Sequence, residues 1–70
     1  MNSQMLKGRI MEHGDTQAQL ADAMGISASN LNDKINGKVY FRQNEIAAIR
    51  NRYHLSAQEV DFIFFSQVLS

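Results

Sequence analysis

Seventy residues without cysteine or proline make one domain near the lower limit of what folds alone. Neither disulfides nor thiolate metal sites can support it. The formal net charge is zero, which argues against a nucleic-acid binder that works by bulk electrostatics. The hydrophobic content of 44% and mean hydropathy of −0.32 describe a globular chain, and neither a signal peptide nor an apolar run of membrane-spanning length is visible.

A core of this size supplies only a few kcal/mol of net stability, so oligomerisation is the remaining route to further burial. Charge is unevenly spread. All seven bases precede residue 53 and share that stretch with five acids, a net of +2, whereas the tail adds only Glu59 and Asp61. Lys34, Lys38 and Arg42 bracket a segment with no acid, which predicts a modest basic patch.

The first helix is expected over about Ser3–His13, with Leu6 and Ile10 inward and Gly14 as its stop. Gly8 costs that helix about 1 kcal/mol relative to alanine. A second helix opens at Thr16, with Gln19 three residues on as capping-box partner. Leu20, Ala21 and Met24 form its apolar stripe, and Gly25 makes the turn.

A third helix opens at Ser27, flanked by Ile26 and Leu31 at the spacing of a hydrophobic staple. Leu31 and Ile35 face inward, and Gly37 ends the helix because glycine takes the left-handed conformation without steric cost. Residues 36–42 form a loop in which Phe41 is assigned to the core. Tyr40 is assigned either to packing or to a phosphate hydrogen bond. A fourth helix is expected over Gln43–Tyr53, with Ile46, Ile49 and Tyr53 inward. The fifth has the clearest start: Ser56 and Glu59 form a capping box, and Leu55 and Val60 form a staple around it. It is expected to continue to about Phe65, although Phe, Ile and Val there also suit a strand. Five short helices on short loops predict an all-α bundle.

Residues 17–38, QAQLADAMGISASNLNDKINGK, thus read as two short capped helices about a glycine turn, the second with a small polar face. That is how a side-chain set is carried into a DNA major groove. On Gln17, Leu20-Ala21, Gly25, Ile26-Ser27, Leu31 and Asn36-Gly37-Lys38, the chain resembles the phage repressor and Cro-like helix-turn-helix family. The closing segment EIAAIRNRYHLSAQEVDFIFF is similar to the last helices of small phage regulators from Gram-positive hosts. The resemblance spans residues 4–65 and implies a lambda-repressor-like five-helix fold, with the helix-turn-helix at about 16–37 in a single domain over 1–70.

It further implies that the helix opening at Ser27 is the recognition helix, with Ala28, Ser29, Asn32 and Asp33 at base edges. The chemistry is apt. Serine donates or accepts, asparagine pairs with adenine through two hydrogen bonds, alanine meets a thymine methyl, and aspartate accepts from cytosine N4. Near phosphates Asp33 would instead reject wrong sites. Gln17, Ser27, Asn36 and Lys38 match positions that touch the DNA backbone, and these contacts set position and affinity, not sequence preference. Tyr40 and Arg42 join them as candidates.

Two departures stand out. An arginine in helix 1 and a glutamate near the end of helix 3, often a partly buried pair in that family, are here Ile10 and Ile35. Replacing a buried ion pair with packed hydrophobes is often neutral or stabilising. Arg42 occupies the position before helix 4 where relatives carry serine or threonine. An arginine cannot cap, and its charge is unfavourable at a helix N-terminus, so Arg42 is expected to leave the helix for a phosphate or the minor groove.

The tail VDFIFFSQVL is the other informative segment. Val60, Ile63 and Phe64 can fill the core, which leaves Phe62, Phe65, Val68 and Leu69 for a homodimer interface over residues 60–70. The alternative is that they cap their own domain.

Enzyme chemistry is not expected. There is no cysteine nucleophile, glycine-rich phosphate loop or serine–histidine set, and His13 and His54 read as solvated helix-end residues with no third ligand in view. No cofactor, metal or small-molecule ligand is called for. The expectation is a cytoplasmic bacterial regulator of the short Cro-like kind, without a separate effector domain, that reads operator DNA as a dimer. The rival is the same fold repurposed for protein binding, antirepressor- or antitoxin-like, favoured by the neutral charge and Asp33.

Overall fold

The computed structural model describes residues 1–65. In chain order they form α1 (Ser3–Glu12), α2 (Gln17–Met24), α3 (Ala28–Ile35), α4 (Gln43–Tyr53) and α5 (Ala57–Val60), and α5 runs on into one π-helical stretch, Asp61–Phe65. Among these residues there is no strand, and no helix is long and apolar enough to cross a membrane. The all-α five-helix expectation is borne out, with the tail helical through Phe65. Its geometry differs from the expected continuous α-helix: the π-helical stretch buries Ile63 and leaves Phe62 and Phe65 exposed.

The predicted caps form. Gln19 N–H donates to Thr16 Oγ1 at 3.1 Å while Thr16 N–H donates to Gln19 Oε1 at 3.0 Å. The same reciprocal pair joins Ser56 and Glu59, both bonds 3.1 Å, and Ser27 Oγ accepts from Asn30 N–H at 3.0 Å. Each bond satisfies an orphan donor of a helix start. At α1 the cap is Asn2, whose Oδ1 accepts from Met5 N–H at 3.1 Å. Ser3, freed from capping, donates through Oγ to the Ile35 carbonyl at 2.6 Å, and Asn2 N–H donates to the Ile63 carbonyl at 2.7 Å. The N-terminus of α1 is thereby tied to the end of α3 and to the π-helical turn.

Four helices end alike. The residue after the last turn takes a positive φ, and the next N–H reaches back to a carbonyl five residues earlier: Asp15 to Ile10, Ile26 to Ala21, Lys38 to Asp33, and Leu55 to Arg50, all at 2.9–3.0 Å. This is the Schellman arrangement. At Gly14, Gly25 and Gly37 the left-handed conformation is unstrained, but at the end of α4 it falls on His54, φ 53°.

The core is a single cluster: Leu6 and Ile10 from α1, Leu20 and Ala21 from α2, Leu31 and Ile35 from α3, Ile49 and Tyr53 from α4, then Leu55, Val60 and Ile63. Met24, Ile46, Phe41 and Phe64 pack around its rim, and Phe41 meets Phe64 edge to face at 5.2 Å. Ile10 and Ile35 are both buried in this cluster, so the joint apolar replacement is accommodated as packing.

Candidate nucleic-acid interface

The segment of residues 16–37 forms two helices held at a fixed angle by three local causes. Leu20 and Ala21 of α2 and Leu31 of α3 are buried in the same cluster, Gly25 reverses the chain, and the Ile26 side chain packs on the core just before the Ser27 cap. With Leu31 and Ile35 buried, the remaining face of α3 is open. Ala28, Ser29 and Asn32 are exposed and Asp33 is half-exposed. No hydrogen bond or ion pair engages the side chains of Ser29, Asn32 or Asp33 among the described residues.

The other candidate positions divide. Asn36, Lys38 and Arg42 are exposed beyond the end of α3. Gln17 is half-exposed at the start of α2, where it lines a shallow groove of about 210 Å³ with Lys7 and Thr16. Lys7 is a cation that the sequence pattern did not single out. Ser27 is exposed, but its hydroxyl is already engaged as the α3 cap. Tyr40 is 93% exposed, so its packing assignment is overturned: its neighbour Phe41 takes the place in the aromatic rim instead. Tyr40, Val39, Phe41, Ile46, Phe64 and Phe65 edge an apolar groove of about 430 Å³. Phe62 and Phe65 are 59% and 61% exposed; Val68 and Leu69 lie outside the described residues.

Charge is distributed differently from the sequence expectation. Lys34, counted there in the basic patch, is buried. Its Nζ donates to Glu45 Oε1 at 2.8 Å and to the Tyr40 carbonyl at 3.4 Å, and the two residues are only 4% and 7% exposed. The correction follows from position: Lys34 is in the last turn of α3, on the side that meets α4 and not on the polar face. The same Glu45 oxygen accepts from Arg42 N–H at 2.8 Å. This is the reciprocal half of a capping box; the other half is missing because the Arg42 side chain has no acceptor to offer. Burial pushes the Glu45 carboxyl upward, but the hydrogen bonds from Lys34 and from Arg42 N–H outweigh it and hold the pKa below the ordinary value.

The patch on this side therefore reduces to Lys38 and Arg42. Neither side chain makes an ion pair among the described residues. Elsewhere Arg9 and Arg52 are occupied, whereas Lys7 and Arg50 are exposed and make no ion pair among the described residues. Arg9 bridges Glu59 at 3.1 Å and Glu12 at 3.0 Å. Arg52 and Tyr53 converge on Asp15, with Arg52 Nε at 2.7 Å and the Tyr53 hydroxyl at 2.6 Å from the same carboxylate oxygen. The hydrogen bond from Arg52, then that from Tyr53, lowers the Asp15 pKa to about 2. Burial, with the Asp15 charge beside it, raises that of the Tyr53 hydroxyl. The His13 ring packs on Tyr53 at 4.9 Å.

No curated protein and no solved structure matches this chain. Residues 2–67 match the family described as "Protein of unknown function (DUF739)". That match takes in all five helices and both sides of the polar face, and the chain belongs to this family.

Proposed function

We propose that the protein is a sequence-specific double-stranded DNA-binding transcriptional regulator of the phage repressor or Cro-like kind, reading an operator through α3 in the major groove. The observation that carries this reading is the division of α3. Leu31 and Ile35 are fully buried while Ala28, Ser29 and Asn32 are exposed. A short capped helix anchored along one stripe, with small polar side chains along the other, suits insertion into a groove that admits one helix.

Lys38 and Arg42, charged and without an ion pair among the described residues, lie beyond the end of α3 and are suited to phosphates, and Gln17 and Lys7 can hold the strand at the start of α2. Asn36 and Tyr40 are exposed beside them. Ser27 contributes through the N–H groups of the helix start. With four small reading residues, direct base contacts are few, so DNA shape contributes to selectivity and dimerisation to affinity. The exposed Phe65, with Phe62, supplies surface for the second copy. Two recognition helices would then lie about one DNA turn apart over a near-palindrome. The setting is the bacterial cytoplasm.

Selection from a random duplex library tests this reading. A single enriched near-palindromic motif, bound more weakly as salt rises through counterion release, is the expected result. Sedimentation showing only monomer at tens of micromolar, with and without that duplex, would remove the dimer.

The half-exposed Asp33 and the apolar groove beside Tyr40 favour a second reading, a protein-binding module on the same fold, antirepressor- or antitoxin-like. In that case no DNA motif is enriched.

A further inference from the structure

We propose that the buried Lys34–Glu45 pair is a positioning device, which sets the loop of residues 36–42 against α3 and so aims Lys38 and Arg42 along the same DNA strand. The purpose assigned to the pair rests on the DNA-binding reading above; the positioning itself does not.

Four backbone and side-chain groups meet in one knot. Lys34 belongs to the last turn of α3, Glu45 to the first turn of α4, and Tyr40 and Arg42 to the connecting loop. Glu45 Oε1 holds Lys34 Nζ and Arg42 N–H, each at 2.8 Å, and Lys34 Nζ also reaches the Tyr40 carbonyl at 3.4 Å. The loop is thus gripped at its middle and at its far end from within the protein. Its near end is fixed by Lys38 N–H on the Asp33 carbonyl at 2.9 Å. Between these points the side chains of Lys38, Tyr40 and Arg42 are all exposed.

A buried ion pair is a poor source of net stability. Desolvation offsets most of the attraction, and apolar residues of similar size often serve as well. What a pair supplies that packing does not is direction: a charge-assisted bond has a preferred distance and angle. Here that direction is spent on a backbone carbonyl and a backbone N–H of a loop with few other anchors. Phe41 on the rim is the only apolar side chain of residues 36–42 that packs on the core. Lys34 and Glu45 are buried and act through the loop.

The test replaces both partners at once, Lys34→Met with Glu45→Leu, so that no charge is left buried alone. The variant is expected to keep a cooperative unfolding transition. Backbone amide order parameters of residues 38–42 are expected to fall from about 0.85, typical of rigid backbone, to below about 0.6, while those of α1–α4 stay unchanged. On the selected duplex, affinity is expected to fall about tenfold or more, and the slope of log K against log salt to lose about one to two units, the share of two phosphate contacts. A pair that only fills the core would leave loop order and salt slope unmoved in the folded protein, whichever way the unfolding midpoint shifts.

Loop order equal to that of the unsubstituted protein overturns the positioning role. A loosened loop with an unchanged salt slope overturns the link to Lys38 and Arg42. Should the double variant fail to fold, Lys34→Gln leaves Glu45 on Arg42 N–H but removes the ammonium that bonds both Glu45 and the Tyr40 carbonyl; unchanged order over residues 38–41 then overturns the proposal. If the unsubstituted protein selects no duplex, the DNA-binding reading and the purpose derived from it both fall, while the relaxation measurement still decides whether the pair holds the loop.

Discussion

The two ends of this domain use the same residue type to opposite effect. At the end built from α1, the α1–α2 turn, α4 and α5, two arginines are consumed by the fold: Arg9 clips α1 to the start of α5 through Glu59, and Arg52 with Tyr53 clips α4 to the turn through Asp15, while Lys7 and Arg50 stay outside these clips. At the end built from α3 and the loop after it, the side chains of Arg42 and Lys38 make no ion pair among the described residues, and the one neutralised cation, Lys34, is buried beneath them. A formal net charge of zero therefore conceals a division of labour. Arg9 and Arg52 are spent within the protein, whereas Lys38 and Arg42 are left for something outside it.

Asp15→Asn should break the clamp side hardest. The carboxylate is 7% exposed and accepts two bonds from Arg52 and one from Tyr53. Hydrogen bonds to charged groups contribute about 1.5–3 kcal/mol, and the lower end applies because the Arg52 side chain is 38% exposed. Urea unfolding measures the loss, and the salt slope of DNA binding should not move. The same residue gives a pH dependence. Because folding lowers its pKa from 3.8 to about 2, the stability it contributes is complete above pH 3.8 and is lost as the pH falls through about 2. Asp15→Asn should flatten that part of the acid-unfolding profile.

On the reading side, Asn32→Ala should cost about 1–3 kcal/mol of binding and relax preference at one base pair, with the unfolding midpoint unchanged because the side chain is exposed. An unaltered selected motif would remove Asn32 from the reading face. Lys38→Ala and Arg42→Ala should each weaken all duplexes alike and lower the salt slope by about one. If Arg42→Ala leaves both affinity and salt dependence intact, then its freedom from α4 has another reason.

The smallest effect concerns neither side's charges. His54 is the one non-glycine among the described residues with positive φ. His54→Gly should therefore stabilise the protein by up to about 1 kcal/mol by relieving the left-handed conformation, read as a raised thermal midpoint with DNA binding unchanged.

Much of this was legible because it is local. Thr16–Gln19, Ser27–Asn30 and Ser56–Glu59 each close within three residues, so residue order alone predicts their caps. The stripes of Leu20-Ala21 and of Leu31 with Ile35 follow from the helical repeat. The exposure of Ala28, Ser29 and Asn32 follows from that repeat too, since a helix that buries one stripe must show the other. The end of α4 was harder to read. A glycine announces the stops after α1, α2 and α3, whereas His54 carries the same conformation without any such signal.

The sequence by itself thus determined the five helices, their starts and the apolar stripe of each, because caps, staples and the 3.6-residue repeat act over a few neighbouring residues. Tertiary structure alone decided which charges remain available. Lys34 looked like its neighbours Lys38 and Arg42 until α4 brought Glu45 to it across eleven residues. Asp15 met Arg52 across 37 residues, and Arg9 met Glu59 across 50. An ion pair depends on distance in space, on which the spacing of two residues along the chain has almost no hold once several helices have folded back on one another.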